Sequence, residues 1–185
     1  GITSSLQVVP DIDRVLAVSD FSIYRVSCID KSNVTRGCQL FRRTFDKVAQ
    51  NYPTISTDYG YIDAFTQWLT RIPEHYDVVV TSNMFGDIAT DLASVLQGGM
   101  GMAGSGNIGD DHAFFEPVHG SAPKYAGMNK VNPIASINSI QMMMDWLGRK
   151  NNNQNILQVA TAIESSVSAH LAQGKHLTYD LGGDS

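Results

Sequence analysis

Tyr76-Asp-Val-Val-Val-Thr-Ser-Asn-Met-Phe-Gly-Asp-Ile-Ala-Thr-Asp91 is the stretch whose reading decides the fold. Tyr76 to Thr81 is a short apolar run of β-branched side chains, which predicts a buried strand of the parallel kind. It leads straight into Asn83 to Leu96, where helical spacing predicts an apolar stripe of Ile88, Leu92, Val95 and Leu96. Asp87 and Asp91 are four residues apart, so a helix places both carboxylates on one face, one turn from each other. Like charges at that spacing repel. A divalent cation held by oxygen ligands would compensate them; a solvated acidic face is the plainer alternative.

Working outward, helix and strand alternate. Asp11 to about Ser22 reads as a helix, and Tyr24 to Ile29 as a strand. Arg36 to Gln50 reads as an amphipathic helix with Leu40, Phe41, Phe45, Val48 and Ala49 inward, ended by Pro53. Ile55 to Tyr59 is a short strand, and Tyr61 to Arg71 a helix stopped before Pro73. This alternation predicts an α/β layered fold. From Gln97 to Gly109 the chain is too rich in glycine for a helix and reads as a crossing segment. The domain boundary is placed there, dividing the chain into 1–97 and 98–185. Beyond it, His112 to Glu116 reads as a strand. Pro133 to Leu147 reads as a helix capped by Asn132 and closed by Gly148. A polar turn at Asn151-Asn-Asn then precedes a last amphipathic helix, Asn155 to Ala172.

Composition narrows the function classes. The chain has 185 residues, 43% of them hydrophobic, with a formal net charge of -5. That acidity argues against nucleic acid as a partner. Its two cysteines, Cys28 and Cys38, make no disulfide framework and fit a reducing compartment, with the cytoplasm expected. No apolar run is long enough for a membrane span, and Gly-Ile-Thr-Ser-Ser at the start does not read as a signal peptide.

Three further segments carry chemistry-bearing residues. Glu116-Pro-Val-His-Gly-Ser-Ala-Pro-Lys-Tyr-Ala-Gly reads as a loop between strand and helix. Its small residues Gly120, Ser121 and Ala122 admit a ligand close to the backbone, whose N–H groups can cradle phosphate. Lys124 would add positive charge, and His119 would stack on or hydrogen-bond a base; a structural turn around a satisfied histidine is the alternative. In Cys28-Ile-Asp-Lys-Ser-Asn-Val, Lys31 stands just past a strand end, where open α/β sheets place ligands. Burial or neighbouring charge would make it a proton donor, and Asn33 would orient a substrate carbonyl. Asp63 begins a helix, where capping alone accounts for an Asp.

Taken in order, these segments make the chain resemble the β-decarboxylating dehydrogenases, the family of 3-isopropylmalate, isocitrate, homoisocitrate and tartrate dehydrogenases. Asp30-Lys-Ser-Asn-Val is similar to the family's catalytic-lysine strand, Tyr61-Ile-Asp-Ala to the segment supplying one metal-binding aspartate, and Asn83-Met-Phe-Gly-Asp-Ile-Ala-Thr-Asp to the motif supplying two more. Glu116-Pro-Val-His-Gly-Ser-Ala-Pro resembles the cofactor loop, Asn132-Pro the adenine-contacting turn, and Asp180-Leu-Gly-Gly the C-terminal signature.

The resemblance implies that Asp63, Asp87 and Asp91 bind Mg²⁺ or Mn²⁺. It implies that Lys31 belongs to the acid–base apparatus of the opposite subunit's site, with Asp63 lent likewise across a homodimer interface, and that Asn33 lies near substrate and nicotinamide. His119, Gly120, Ser121, Ala122 and Asn132 would hold the adenosine half of NADP or NAD. Lys124, Tyr125 and Tyr179 stand where NADP-dependent members contact the 2′-phosphate; an arginine of that pattern is Gly183 here. The implied reaction is oxidative decarboxylation of a hydroxy-diacid or triacid, 3-isopropylmalate-like or, alternatively, isocitrate-, homoisocitrate- or tartrate-like. Such enzymes carry a strand-rich first half with no counterpart here, so an incomplete fold is expected and the chain alone is not expected to turn over. Two other classes stay open: a non-catalytic regulatory subunit, and a simple nucleotide-binding α/β protein.

Overall fold

The computed structural model describes residues 25–184. The helix expected over Asp11 to Ser22 lies outside them. The chain divides into two compact units, one running through Ala93 and the other from Ser94.

The first unit is built on a parallel three-stranded sheet with strand order β2-β1-β3: β1 is Arg25–Asp30, β2 Ser56–Tyr61 and β3 Val78–Thr81. The register sets Ile29 opposite Gly60 and Thr81, so all three strands end at the same edge. Helix α1 (Arg36–Ala49) follows β1, α2 (Ile62–Arg71) follows β2, and α3 (Asn83–Leu96) follows β3. Alternation along β1 and β3 feeds two cores. Val26, Cys28 and Val80 pack with Phe45 of α1, whereas Ile29 and Val79 pack with Phe65 and Leu69 of α2 and Ala89 and Ala93 of α3. The central strand is thus apolar on both sides, as a covered parallel sheet requires.

Two expected stripes are corrected. On α1, Leu40 is exposed; five residues before Phe45, it sits about 140° round the helix from the buried side chain. On α3, Ile88, Val95 and Leu96 are exposed together with Met84, and the buried face is Gly86, Ala89 and Ala93. Small residues let the α3 backbone lie close against Ile29 and Val79. Leu92 of the expected stripe packs partly buried against this cluster, whereas Ile88, Val95 and Leu96 face outward.

In the second unit, β4 (Gly104–Ile108) and β5 (Ala113–Pro117) form an antiparallel pair, and α4 (Ile134–Lys150) packs against them and against α5 (Gln154–Gln173). The glycine-rich crossing stretch thus holds a strand over Gly104–Ile108. A Cβ on Gly104 would come within 3.1 Å of Ser139 and Met142 on α4, and one on Gly106 within 3.0 Å of the Phe115 ring. These glycines mark close approach, not a loop. Gly148 does not close α4. It lies buried inside the helix, and a Cβ there would meet Leu157 of α5 at 2.7 Å. The helix starts after Pro133, with the Asn132 side chain accepting from the Ile134 N–H at 2.9 Å.

Candidate active site

In the first unit the functional side chains gather where the parallel strands end. The chain turns directly after β1: the N–H groups of Val34 and Thr35 donate to the Lys31 carbonyl at 2.9 and 3.0 Å. Asp30 fixes the start of this turn, its Oδ1 accepting from the Ser32 N–H at 2.8 Å. Lys31 is three-quarters buried and its ammonium pairs with Asp63, which stands exposed in the first turn of α2. The hydrogen bond from Lys31 is the main reason the Asp63 carboxyl is held below its ordinary value of 3.8. Lys31 Nζ also lies 5.7 Å from the centre of the Tyr61 ring, a cation–π distance. Asn33 is exposed on the turn.

Asp87 and Asp91 project from α3 one turn apart, and both are exposed. Asn83 Nδ2 donates to Asp87 Oδ2 at 3.3 Å. The donor set is hard oxygen, which suits Mg²⁺ or Mn²⁺. Among the described residues, however, no group of three or more histidines, cysteines or acids is brought together. Lys31 and Asp63 form one cluster, while Asp87 and Asp91 offer a partial ligand set without Asp63.

The second unit carries the loop after β5. Ala122 adopts φ 43 and ψ 56, in the left-handed region that a residue with a Cβ enters only at a cost of order 1–3 kcal/mol. A Cβ on Gly120 would meet nothing within 4 Å, so packing among the described residues does not demand glycine there. His119 Nδ1 bonds the Gly120 carbonyl at 2.8 Å. That contact makes Nδ1 the donor, leaving Nε2 an acceptor in the neutral ring. Nε2 is buried and has no hydrogen-bond partner among the described residues. Ser121 is exposed beside it.

The three residues expected at a 2′-phosphate do converge. Lys124 Nζ lies 4.9 Å from the Tyr125 ring centre, and the Tyr125 and Tyr179 rings are 5.9 Å apart. A hydrogen bond from Tyr179 is the main cause of the lowered pKa of Tyr125, with Lys124 and then Lys130 adding to it; Tyr179 is raised by the same shared bond. Lys130 is a second cation that the sequence reading did not single out, since nothing in its spacing sets it apart from a surface lysine. Gly183 cannot be exchanged for the arginine of the NADP pattern in this backbone, because a Cβ there would fall 1.9 Å from the Leu177 carbonyl oxygen.

Asn132 stands just before Pro133 and the start of α4. It is buried and its side chain is fully engaged: Nδ2 donates to Asp180 Oδ2 at 3.0 Å, and Oδ1 accepts from Ile134. Any contact it makes with an adenine is left to its main chain. Burial works to raise the Asp180 carboxyl, but the neighbouring Thr178 hydroxyl, the bond from Asn132 and backbone amides outweigh it and hold the carboxyl below its usual range. Gly101 makes the room, since a Cβ there would lie 2.6 Å from Asp180 Oδ2. The C-terminal signature thus latches onto the glycine-rich segment through Asn132.

The family model described as isocitrate/isopropylmalate dehydrogenase matches residues 13–185. The chain is 45% identical over 153 residues to a 3-isopropylmalate dehydrogenase of Streptomyces griseus, covering 80% of this chain and 42% of that protein. It is 47% identical over 161 residues to a homoisocitrate dehydrogenase of Methanocaldococcus jannaschii, covering 86% and 44%. Among solved structures, an isocitrate dehydrogenase from Methylococcus capsulatus superposes with a TM-score of 0.79 at 37% identity, over 87% of this chain and 46% of that one. The chain therefore spans less than half the length of these relatives. No helix among the described residues is long and apolar enough to cross a membrane. With a family model matched over nearly its whole length and the α/β architecture of the solved relatives, this chain belongs to the isocitrate/isopropylmalate dehydrogenase family.

Proposed function

We propose that the chain carries the metal-binding and nucleotide-binding parts of a cytoplasmic, homodimeric dehydrogenase that oxidises and decarboxylates a 2-hydroxy acid of the 3-substituted malate class. A 3-isopropylmalate-like substrate is the first reading. An isocitrate- or homoisocitrate-like substrate is the second, favoured by Lys124-Tyr125 and Gly106-Asn-Ile-Gly-Asp.

The observation that carries this is the division of the site. Lys31 and Asp63 touch each other on one chain, while Asp87 and Asp91 stand one turn apart with no third acid beside them among the described residues. A dimer in which Lys31 and Asp63 of one subunit face Asp87 and Asp91 of the other would complete the ligand set. The exposed apolar side chains Met84, Ile88 and Val95 on α3 give such an interface its material.

Asp63, Asp87 and Asp91 would hold Mg²⁺ or Mn²⁺, which would supply Lewis acidity toward the hydroxyl and carboxylate of the substrate, with NAD(P)⁺ as the hydride acceptor. Lys31 would donate the proton, its ammonium held by Asp63. Asn33 offers an amide beside it. His119 and the backbone of Gly120 to Ala122 bind the adenosine half, and Lys124, Tyr125, Tyr179 and Lys130 read its 2′ position, favouring NADP over NAD.

Calorimetry with Mn²⁺ and with NADP, on a version extended to the length of the relatives, tests the reading. Asp87→Asn is expected to weaken Mn²⁺ binding at least about tenfold and to abolish oxidation, because a hard-cation site loses both charge and a bond. A non-catalytic subunit would bind neither ligand, and a simple nucleotide-binding protein would bind NADP without any dependence on Asp87.

A further inference from the structure

We propose that Arg42 is a positioning residue of this site: by gripping the buried carboxylate of Asp30 and lying against Tyr61, it fixes the turn that presents Lys31 and seats Lys31 against Asp63. The inference rests on the reading of Lys31 and Asp63 as site residues.

Asp30 closes β1 and is only 1% exposed, a charge that demands partners. It has them on both oxygens. Arg42 Nε donates to Oδ2 at 2.8 Å and Arg42 Nη2 to Oδ1 at 3.0 Å, while Oδ1 also takes the Ser32 N–H. This is the two-pronged geometry a guanidinium makes and an ammonium does not. Lys31 is thereby bracketed: the residue before it is held by Arg42, and the residue after it by Asp30. Gln39 on α1 adds a bond to the Ser32 carbonyl at 2.9 Å.

The second half of the grip is aromatic. The Arg42 guanidinium carbon lies 5.0 Å from the centre of the Tyr59 ring and 5.6 Å from that of Tyr61. Tyr59 is itself held by a hydrogen bond to Asp46 at 2.8 Å. Tyr61 is the ring against which Lys31 also lies, so one ring serves two cations. Tyr61 ends β2 and precedes the turn of α2 that carries Asp63. Arg42 therefore touches the ends of both strands that present the Lys31–Asp63 pair. Asp63, Lys31, Tyr61, Arg42 and Asp30 form an unbroken chain of alternating acid, base and ring. Charge neutralisation alone would need any cation at position 42; positioning needs the planar fork. Arg42 is held firmly in its charged form: burial opposes it, but the hydrogen bonds and charge of Asp30 raise its pKa.

Arg42→Lys separates the two roles, because it keeps the positive charge beside Asp30 and loses the fork and the flat face. In the version extended to the relatives' length, Arg42→Lys is expected to melt near the parent. Its kcat should fall about tenfold or more, while KM and the dissociation constant for NADP stay within about twofold. On the 185-residue chain, a zero-length carbodiimide should join Lys31 to Asp63 as an amide in the parent. Peptide mapping should find that cross-link several-fold weaker in Arg42→Lys and in Tyr61→Leu, which removes the shared ring without disturbing Asp30. Parent-like kcat together with parent-like cross-linking in Arg42→Lys overturns the proposal. An extended parent that is inactive with every malate-type substrate defeats the enzymatic reading instead, and the cross-link then decides the positioning claim alone.

Discussion

Asp63 shows how much of a site a single contact can set. Its carboxyl is exposed, yet the hydrogen bond from Lys31 holds it below 3.8. The folded group thus binds its proton less readily than the unfolded one. The stabilisation is complete above the ordinary carboxylate range and is lost as pH falls through the lowered value. Carboxyl carbon chemical shifts should place the Asp63 midpoint below 3.8 in the parent and return it to the ordinary range in Lys31→Met; an unshifted parent midpoint would refute the contact. On the proposed reading, Lys124 would set the cofactor choice in the same local way. A 2′-phosphate carries close to two negative charges, and Lys124, Tyr125 and Tyr179 lie close enough together to receive one. Lys124→Asp should turn the kcat/KM ratio of NADP to NAD toward NAD by at least about tenfold, since the new carboxylate repels phosphate and accepts from ribose hydroxyls. A ratio indifferent to the swap would mean that this loop does not read the 2′ position. Both groups of residues were legible in the sequence because motif spacing survives folding. Arg42 was not, since its partner Asp30 sits twelve residues earlier on a different element, at no local period.

Among the elements, helices were the most legible. Arg36–Ala49, Ile62–Arg71 and Gln154–Gln173 all fall within two residues of expectation, since caps and prolines act locally. The faces of those helices were less so. A hydrophobic stripe marks a buried side only when the sheet leaves space for large residues, and α3 uses Ala89 and Ala93 instead. Glycine misled twice for the same reason, at β4 and at Gly148, where it makes room for a neighbour. Gly148→Ala tests this. Helix propensity favours alanine by up to about 1 kcal/mol, whereas overlap with Leu157 at 2.7 Å should cost about 1–3 kcal/mol. The net expectation is a destabilisation of about 1–2 kcal/mol in urea melts. A variant more stable than the parent would mean that α4 and α5 are not held that closely.

At the scale of the whole molecule, a site shared between subunits makes a counting prediction. Lys31→Met and Asp87→Asn should each inactivate the extended protein. In a verified heterodimer of the two, one site draws both intact residues and the other neither, so about half of the parent activity should return. No recovery would refute sharing. The sequence by itself determined the α/β class, most of the order of the described elements and which residues stand as candidates for chemistry, because alternation, caps and short motifs are written in neighbouring positions. Only the tertiary structure decided which of those residues meet. It joined Lys31 to Asp63 across thirty-two positions, kept that pair apart from a full acidic cluster, committed Asn132 to Asp180, and closed position 183 to a side chain. Such contacts depend on strand register and on the space between packed elements, and no local pattern along the chain encodes either.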